Sequence, residues 1–330
     1  MAAQNAQRVQ CTICPKRCRI PPGHSGECRA RINLDGTLVA ATYGRPCAVH
    51  VDPMEKKPLF HFCPGAPILS VGNAGCNLHC KNCQNAEISQ GNPEDVPSYD
   101  LQPAAVPGLA SEHGCRHVAY TYTEPLVSYE YTLDCCKAAR GAGLRNVLVT
   151  AGYINEEPLR ALLPFVDAAN VDIKAFSDAF YREVCSATLE PVLQAVLVMR
   201  EMGVHVEVTN LVIPTLNDSD EMFKALCGWM ADKAGPEVPL HFSRFFPMFR
   251  MTHLPPTPSE TLLRAREIAG QAGLKHVYVG NIEVADGETT CCAGCGARLV
   301  VRQRYVVREN RITAAGACPS CGKRVYGVWS

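Results

Sequence analysis

Between Pro67 and Gly280 short apolar runs rich in β-branched residues alternate with longer amphipathic stretches, and this rhythm limits the fold more than any other feature. The runs cover 67–72, 117–122, 146–150, 168–173, 204–213, 239–246 and 276–280. Apolar runs of this length suit strands buried on both faces. The stretch 188–202 sets Leu189, Val192, Leu193, Val196, Leu197 and Met199 on one helical face and stops at Gly203. Asp218 and Glu221 read as a capping box for the next helix, and Ser259 as the cap of the one after, which ends near Gly273. Strict alternation implies an α/β fold with parallel strands and right-handed crossovers. Periodicity alone leaves a partial barrel and a doubly wound sheet both open. In a barrel, chemistry gathers at the C-terminal ends of the strands.

The chain has 330 residues, 47% hydrophobic and 19% charged, which fits one large domain with small attachments. Its 32 basic and 32 acidic residues cancel, so no global field draws it to nucleic acid or membrane. The opening MAAQNAQRVQ has no apolar run and no stretch is long enough to span a bilayer, so the expectation is a cytoplasmic protein with no membrane partner. Nineteen cysteines, an odd count with recurring CxxC pairs, point to metal binding rather than disulfides.

Three cysteine groups carry that metal chemistry. In VGNAGCNLHCKNCQN, Cys76, Cys80 and Cys83 form CxxxCxxC. Three thiolates on one loop can hold three irons of a cubane while the fourth iron stays open. The competing reading is a zinc site with His79 as fourth ligand. Near the N-terminus, Cys11, Cys14, Cys18 and Cys28 surround a turn-rich loop with Pro21, Pro22, Gly23 and Gly26. Too few apolar residues lie there to build a core, so a metal would organise the segment, and zinc or an auxiliary iron–sulfur cluster both fit. Near the C-terminus, Cys292, Cys295, Cys318 and Cys321 make two CxxC knuckles around a hairpin pattern, which reads as a zinc ribbon, with rubredoxin-like iron as the alternative. The spare thiols Cys47, Cys63, Cys115, Cys135, Cys136, Cys185, Cys227 and Cys291 read as small buried hydrophobes.

The expected organisation is therefore a Cys-rich N-terminal segment over 1–44, a proline-broken connector over 45–66, a core domain over 67–286 and a ribbon over 287–330. Arg17, Arg19, Arg29 and Arg31 read as a solvated face. In the ribbon, Arg298, Arg302, Arg304 and Arg308 alternate with Leu299, Val301, Tyr305 and Val307. That pattern means either one wet side of a sheet or a basic surface for nucleic acid or an acidic protein.

The loop of Cys76, Cys80 and Cys83, set after an apolar strand and followed by Gln84 and Asn85, resembles the cluster loop of the radical S-adenosylmethionine (SAM) superfamily. Over nearly its full length the chain is similar to activating enzymes like that of pyruvate formate-lyase, and most of all to the radical SAM member of the AmmeMemoRadiSam system. The resemblance implies a partial barrel of six βα units and a [4Fe-4S] cluster whose open iron chelates the amino and carboxylate groups of SAM. It further implies that one electron, from a donor such as a flavodoxin or ferredoxin, breaks a carbon–sulfur bond. The resulting 5′-deoxyadenosyl radical takes hydrogen from a substrate, by analogy a protein glycine.

Residue by residue, the resemblance places Glu124 of YTYTEP where the family has a glycine-rich segment that meets the amino group of SAM. Thr150 begins a TAG that matches TNG, and Asp172 and Lys174 of NVDIK match a DxK segment at the cofactor site. Asn210 and His241 match positions near the cofactor, and Arg244 is a candidate carboxylate clamp. Lys56, Lys57 and His61 also match, without an assigned role. The chain departs from the pattern at Asn82, where an aromatic residue is usual, at Ala151, and in the missing glycines before Glu124.

Overall fold

A computed structural model describes residues 7–330. Its centre is an eight-stranded sheet: β1 (Ala48–Pro53), β2 (Pro67–Gly72), β3 (His117–Tyr120), β4 (Arg145–Thr150), β5 (Ala168–Asp172), β6 (His205–Val212), β7 (Leu240–Arg244) and β8 (Val277–Gly280). Spatial order follows chain order from β1 to β8. Strands β2 to β8 are parallel, and β1 joins β2 antiparallel. The edges β1 and β8 are not paired, so the sheet is an open, partial barrel. Six crossovers link the seven parallel strands, as the repeating pattern requires.

The expected connector is thus part of the sheet. Strand β1 escapes the sequence pattern because its apolar side chains are interrupted by His50 and Asp52 and it ends in proline. An edge strand tolerates Pro53 because one side of its backbone needs no partner.

The crossover helix Glu190–Glu201 buries Val192, Leu193, Val196 and Met199 and ends before Gly203, whose φ of 79° only glycine adopts freely. Two expected caps are corrected. Ser219, not Asp218, caps the helix Asp220–Trp229 by accepting the amide of Met222 at 3.3 Å, while Asp218 accepts from Thr215 in the preceding turn. Ser259 is the first residue inside the helix Ser259–Gln271, behind Pro258.

Both Cys-rich attachments dock on this sheet. The N-terminal segment contributes two short hairpins, and Asn155 ties it down by donating from its backbone to Ile13 and from its side chain to Thr12. Arg31 departs from the expected solvated face: it is 4% exposed and forms a bidentate pair with Glu130. The ribbon is a three-stranded antiparallel sheet from Thr290 to Asn310. Its register shifts between Val301 and Arg302, and this bulge turns Arg302 inward while Arg298, Arg304 and Arg308 stay outside. The four arginines therefore do not share a face. Arg302 stacks over the Phe60 ring, 4.3 Å from its centroid, and pairs at 3.4 Å with Glu55, both side chains fully buried. Arg298 and Arg304 are paired with Asp286 and Glu283. Most of the basic surface expected for nucleic acid is thereby neutralised or buried.

Candidate active site at the strand ends

The loop after β2 carries Cys76, Cys80 and Cys83, and long-range contacts fix its path. His79 and Lys81 donate their backbone amides to Val184 and Cys185 carbonyls, at 2.9 Å from His79 to Cys185 and 3.0 Å from Lys81 to Val184. Asn77 donates to the carbonyl of Tyr153 at 2.7 Å. The His79 ring is engaged by Gln90 at 2.7 Å through Nδ1, so it serves the loop rather than the thiols. All three cysteines face one cavity of about 520 Å³ at the C-terminal ends of the strands.

Thiol spacing tells the three cysteine groups apart. A tetrahedral zinc with Zn–S bonds of about 2.3 Å keeps its thiolates about 3.8 Å apart. In the ribbon, Cys292 and Cys321 stand 3.5 Å apart and Cys295 and Cys318 3.7 Å, and all four Sγ atoms lie within 4.8 Å of one another. Among the described residues no other group of metal-ligating side chains is gathered so tightly. The sulfurs of Cys76, Cys80 and Cys83 are not gathered as tightly as those of the ribbon. A cubane does not ask for that, because each thiolate meets a different iron.

The register of the parallel strands explains what surrounds them. Asp172 of β5 pairs with Thr209 of β6, Thr209 with His241 of β7, and His241 with Tyr278 of β8, and all four line the cavity. Lys174 reaches back to Asp172 at 2.7 Å, and both remain partly exposed to the cavity. An ion pair with open flanks can still meet the charges of a ligand.

Glu124 is 1% exposed and lines the same cavity. It accepts from Thr150 Oγ1 at 2.7 Å, from the Ala151 amide at 2.8 Å and from the Leu126 amide at 3.2 Å. Burial pushes its carboxyl up to about 7, against the pull of those bonds. Glu124 and Thr150 thus act as a unit, with the hydroxyl fixing the carboxylate.

His241 lines the cavity and its Nε2 meets Glu207 at 2.7 Å. Glu207, fully buried, also meets His205 and accepts the amides of Phe60 and His61. Burial disfavours its charge, but the two histidines outweigh that and hold the carboxyl well below its usual range. Asn210 is the exception among the expected cofactor residues. Its amide donates to the carbonyls of Ile173 and Lys174, and it shores up the β5 end from behind rather than lining the cavity. Arg244 likewise lies over the Phe246 ring and not on the cavity wall.

Several cavity residues had no role in the sequence pattern. Lys57 is 1% exposed, pairs with Asp52 at 2.7 Å and lies over the Tyr122 ring. Burial draws its ammonium down to about 8 despite Asp52. Tyr122 in turn donates to Asp52. Glu288 and Tyr305 reach the cavity from the ribbon, so that attachment helps close the site. Only the LFHF segment beside two lysines could have hinted at this wall, and its meaning depends on β1 being a strand.

Similarity to known proteins agrees with this geometry. The model of the Radical SAM superfamily matches residues 71–227. The chain is 44% identical over 321 residues to an uncharacterized protein, MJ0808, of Methanocaldococcus jannaschii, covering 96% of this chain and 95% of that one. It is 24% identical over 156 residues to the pyruvate formate-lyase-activating enzyme of Clostridium pasteurianum, which is 46% of this chain and 64% of the relative. A radical SAM methyltransferase from Sphaerobacter thermophilus shares the fold, with a TM-score of 0.52 at 18% identity, over 69% of this chain and 71% of that one. The chain belongs to the radical SAM superfamily. It is an enzyme of that type, similar to the activating enzymes.

Proposed function

We propose that this enzyme binds a [4Fe-4S] cluster on Cys76, Cys80 and Cys83 and SAM beside it, cleaves SAM reductively, and abstracts hydrogen from a substrate in the 520 Å³ cavity. The observation that carries the reading is that three thiols of one loop face a cavity shared with Glu124, Thr150, Asp172 and Lys174. When bound, the cluster supplies the electron and the open coordination site. The protein supplies the rest. Glu124, held by Thr150, offers a carboxylate that accepts from the amino group of SAM, and the Asp172–Lys174 pair offers charges of both signs to its polar groups. His241, locked by Glu207, presents a ring edge to the ribose side. Asn210 keeps the β5 end in place.

The reductant is a one-electron donor of the flavodoxin or ferredoxin kind. The likeness to an enzyme named for activating pyruvate formate-lyase supports a protein substrate, with a glycine as the hydrogen donor. The resemblance to the radical SAM member of the AmmeMemoRadiSam system supports instead a reaction proper to that system. The ribbon holds zinc on Cys292, Cys295, Cys318 and Cys321. Anaerobic reconstitution with iron and sulfide, followed by reduction with SAM present, is expected to yield 5′-deoxyadenosine. No nucleoside product from a fully loaded protein would overturn the proposal.

A further inference from the structure

Cys11, Cys14, Cys18 and Cys28 line a single small cavity in the N-terminal segment. Three are buried and Cys18 half-buried, a degree of enclosure unusual for four thiols in a segment with so little core of its own. Yet they do not gather as the ribbon thiols do: no three of them bring their sulfurs within 4.8 Å of one another. A zinc ion would need thiolates about 3.8 Å apart. Four thiols around one cavity, without the tight grouping of the ribbon, match a ligand set that contacts four separate metal atoms.

The rest of the lining agrees in chemistry. Its charged members are Lys16 and Arg31, and no carboxylate faces in. Arg31 spends its two terminal nitrogens on Glu130, whereas its buried Nε finds no partner among the described residues. A buried N–H without a partner costs about 1–3 kcal/mol unless something accepts from it. The sulfides and thiolates of a cluster are such acceptors, and they also carry the negative charge that two cations offset. Ile13, Ile20 and Val127 shield the same space from water.

We propose that these four cysteines hold a second [4Fe-4S] cluster, with every iron closed by a protein thiolate and Arg31 Nε donating to it. Its position is as telling as its ligands. Asn77, next to Cys76, lines this cavity, and Gly75 packs so close to Cys28 that a Cβ there would come within 2.5 Å of the Cys28 carbonyl. The second cluster sits directly behind the loop of Cys76, Cys80 and Cys83. Being closed, it cannot chelate SAM.

The site does not rest on the reading of the active site, and one experiment separates them. A triple variant, Cys76→Ala, Cys80→Ala, Cys83→Ala, is reconstituted anaerobically beside the wild type. Iron, sulfide and zinc are counted, and reduced samples are compared by electron paramagnetic resonance with and without SAM. The wild type should hold about eight irons, and the triple variant about four with a signal that SAM does not alter. A triple variant free of iron, with a second zinc per chain, overturns the proposal. Cys14→Ser with Cys28→Ser should remove the SAM-insensitive signal alone, and loss of no iron in that soluble variant also overturns it. If that variant does not fold, the wild-type count decides, because about four irons that all vanish in the triple variant leave none for this site. About four irons in both proteins would instead sink the SAM reading and leave the second cluster standing.

Discussion

The ribbon thiols and the loop thiols of Cys76, Cys80 and Cys83 are positioned by opposite means. In the ribbon each knuckle is built from its own neighbours: Cys292 donates its amide to Ala297 at 2.8 Å, Gly296 donates back to Cys292 at 2.9 Å, and Cys318 does the same with Lys323 at 2.9 Å. The metal geometry is encoded within a few residues. In the loop, fixing contacts come from Tyr153, Val184 and Cys185, at least 76 residues away in sequence and reachable only once the sheet has formed. A local motif preorganises a closed site, whereas a site that must leave one metal corner open borrows its geometry from the whole fold.

The largest effect should come from separating the two. Cys80→Ala is expected to abolish 5′-deoxyadenosine formation and remove the loop's iron while leaving the ribbon's zinc in place, as metal analysis would show. Cys295→Ser should do the reverse. It should release the zinc and leave SAM cleavage within about tenfold of the wild type, because the ribbon adds Glu288 and Tyr305 to a cavity otherwise lined by the sheet and its loops. Loss of both metals in either variant would break the distinction.

The joint between the two regions gives the next effect. Arg302 and Glu55 pair with no exposure of either side chain, and removing one partner leaves the other charge buried. Arg302→Met is expected to lower stability by about 3–5 kcal/mol, measured by urea unfolding, with Glu55→Gln added in the same chain recovering part of it. A cost under about 1 kcal/mol would mean that the ribbon docks by its apolar edge alone.

The same contrast explains what could be read from the sequence. The seven parallel strands were legible because each depends on a pattern within a short window, and so was the gathering of Cys292, Cys295, Cys318 and Cys321. Strand β1 was not, because an edge strand ending in Pro53 has the composition of a loop. Arg302 was misplaced because the register shift between Val301 and Arg302 breaks the simple alternation at that point, and a bulge leaves no mark in the composition. Asn210 was assigned to the cofactor by its match to a family position, yet the side chain turns to the carbonyls of Ile173 and Lys174. Lys57, buried against Asp52, had no visible role because the partner that explains it lies on the unrecognised strand.

The smallest effect concerns Glu124, where borrowed geometry meets ligand charge. Its carboxyl stands at about 7 in the folded protein, above the ordinary value of 4.5, because burial disfavours the anion. A carboxyl raised on folding binds its proton more tightly in the native state. Its contribution to stability is therefore complete below about pH 4.5 and fades as pH rises through about 7, by up to roughly 3 kcal/mol. Glu124→Gln should flatten that part of the stability profile. An amino N–H of SAM donated to the carboxylate reverses the preference, since a hydrogen bond to the anion favours it. Titration of SAM into the cluster-loaded enzyme near pH 6.5, in buffers of different ionisation enthalpy, should then release a fraction of a proton that Glu124→Gln does not release. Affinity should rise severalfold between pH 6 and pH 8. Equal proton release from both proteins would mean that the amino group of SAM lies elsewhere, and that Glu124 serves only to tie Thr150, Ala151 and Leu126 together at the mouth of the barrel.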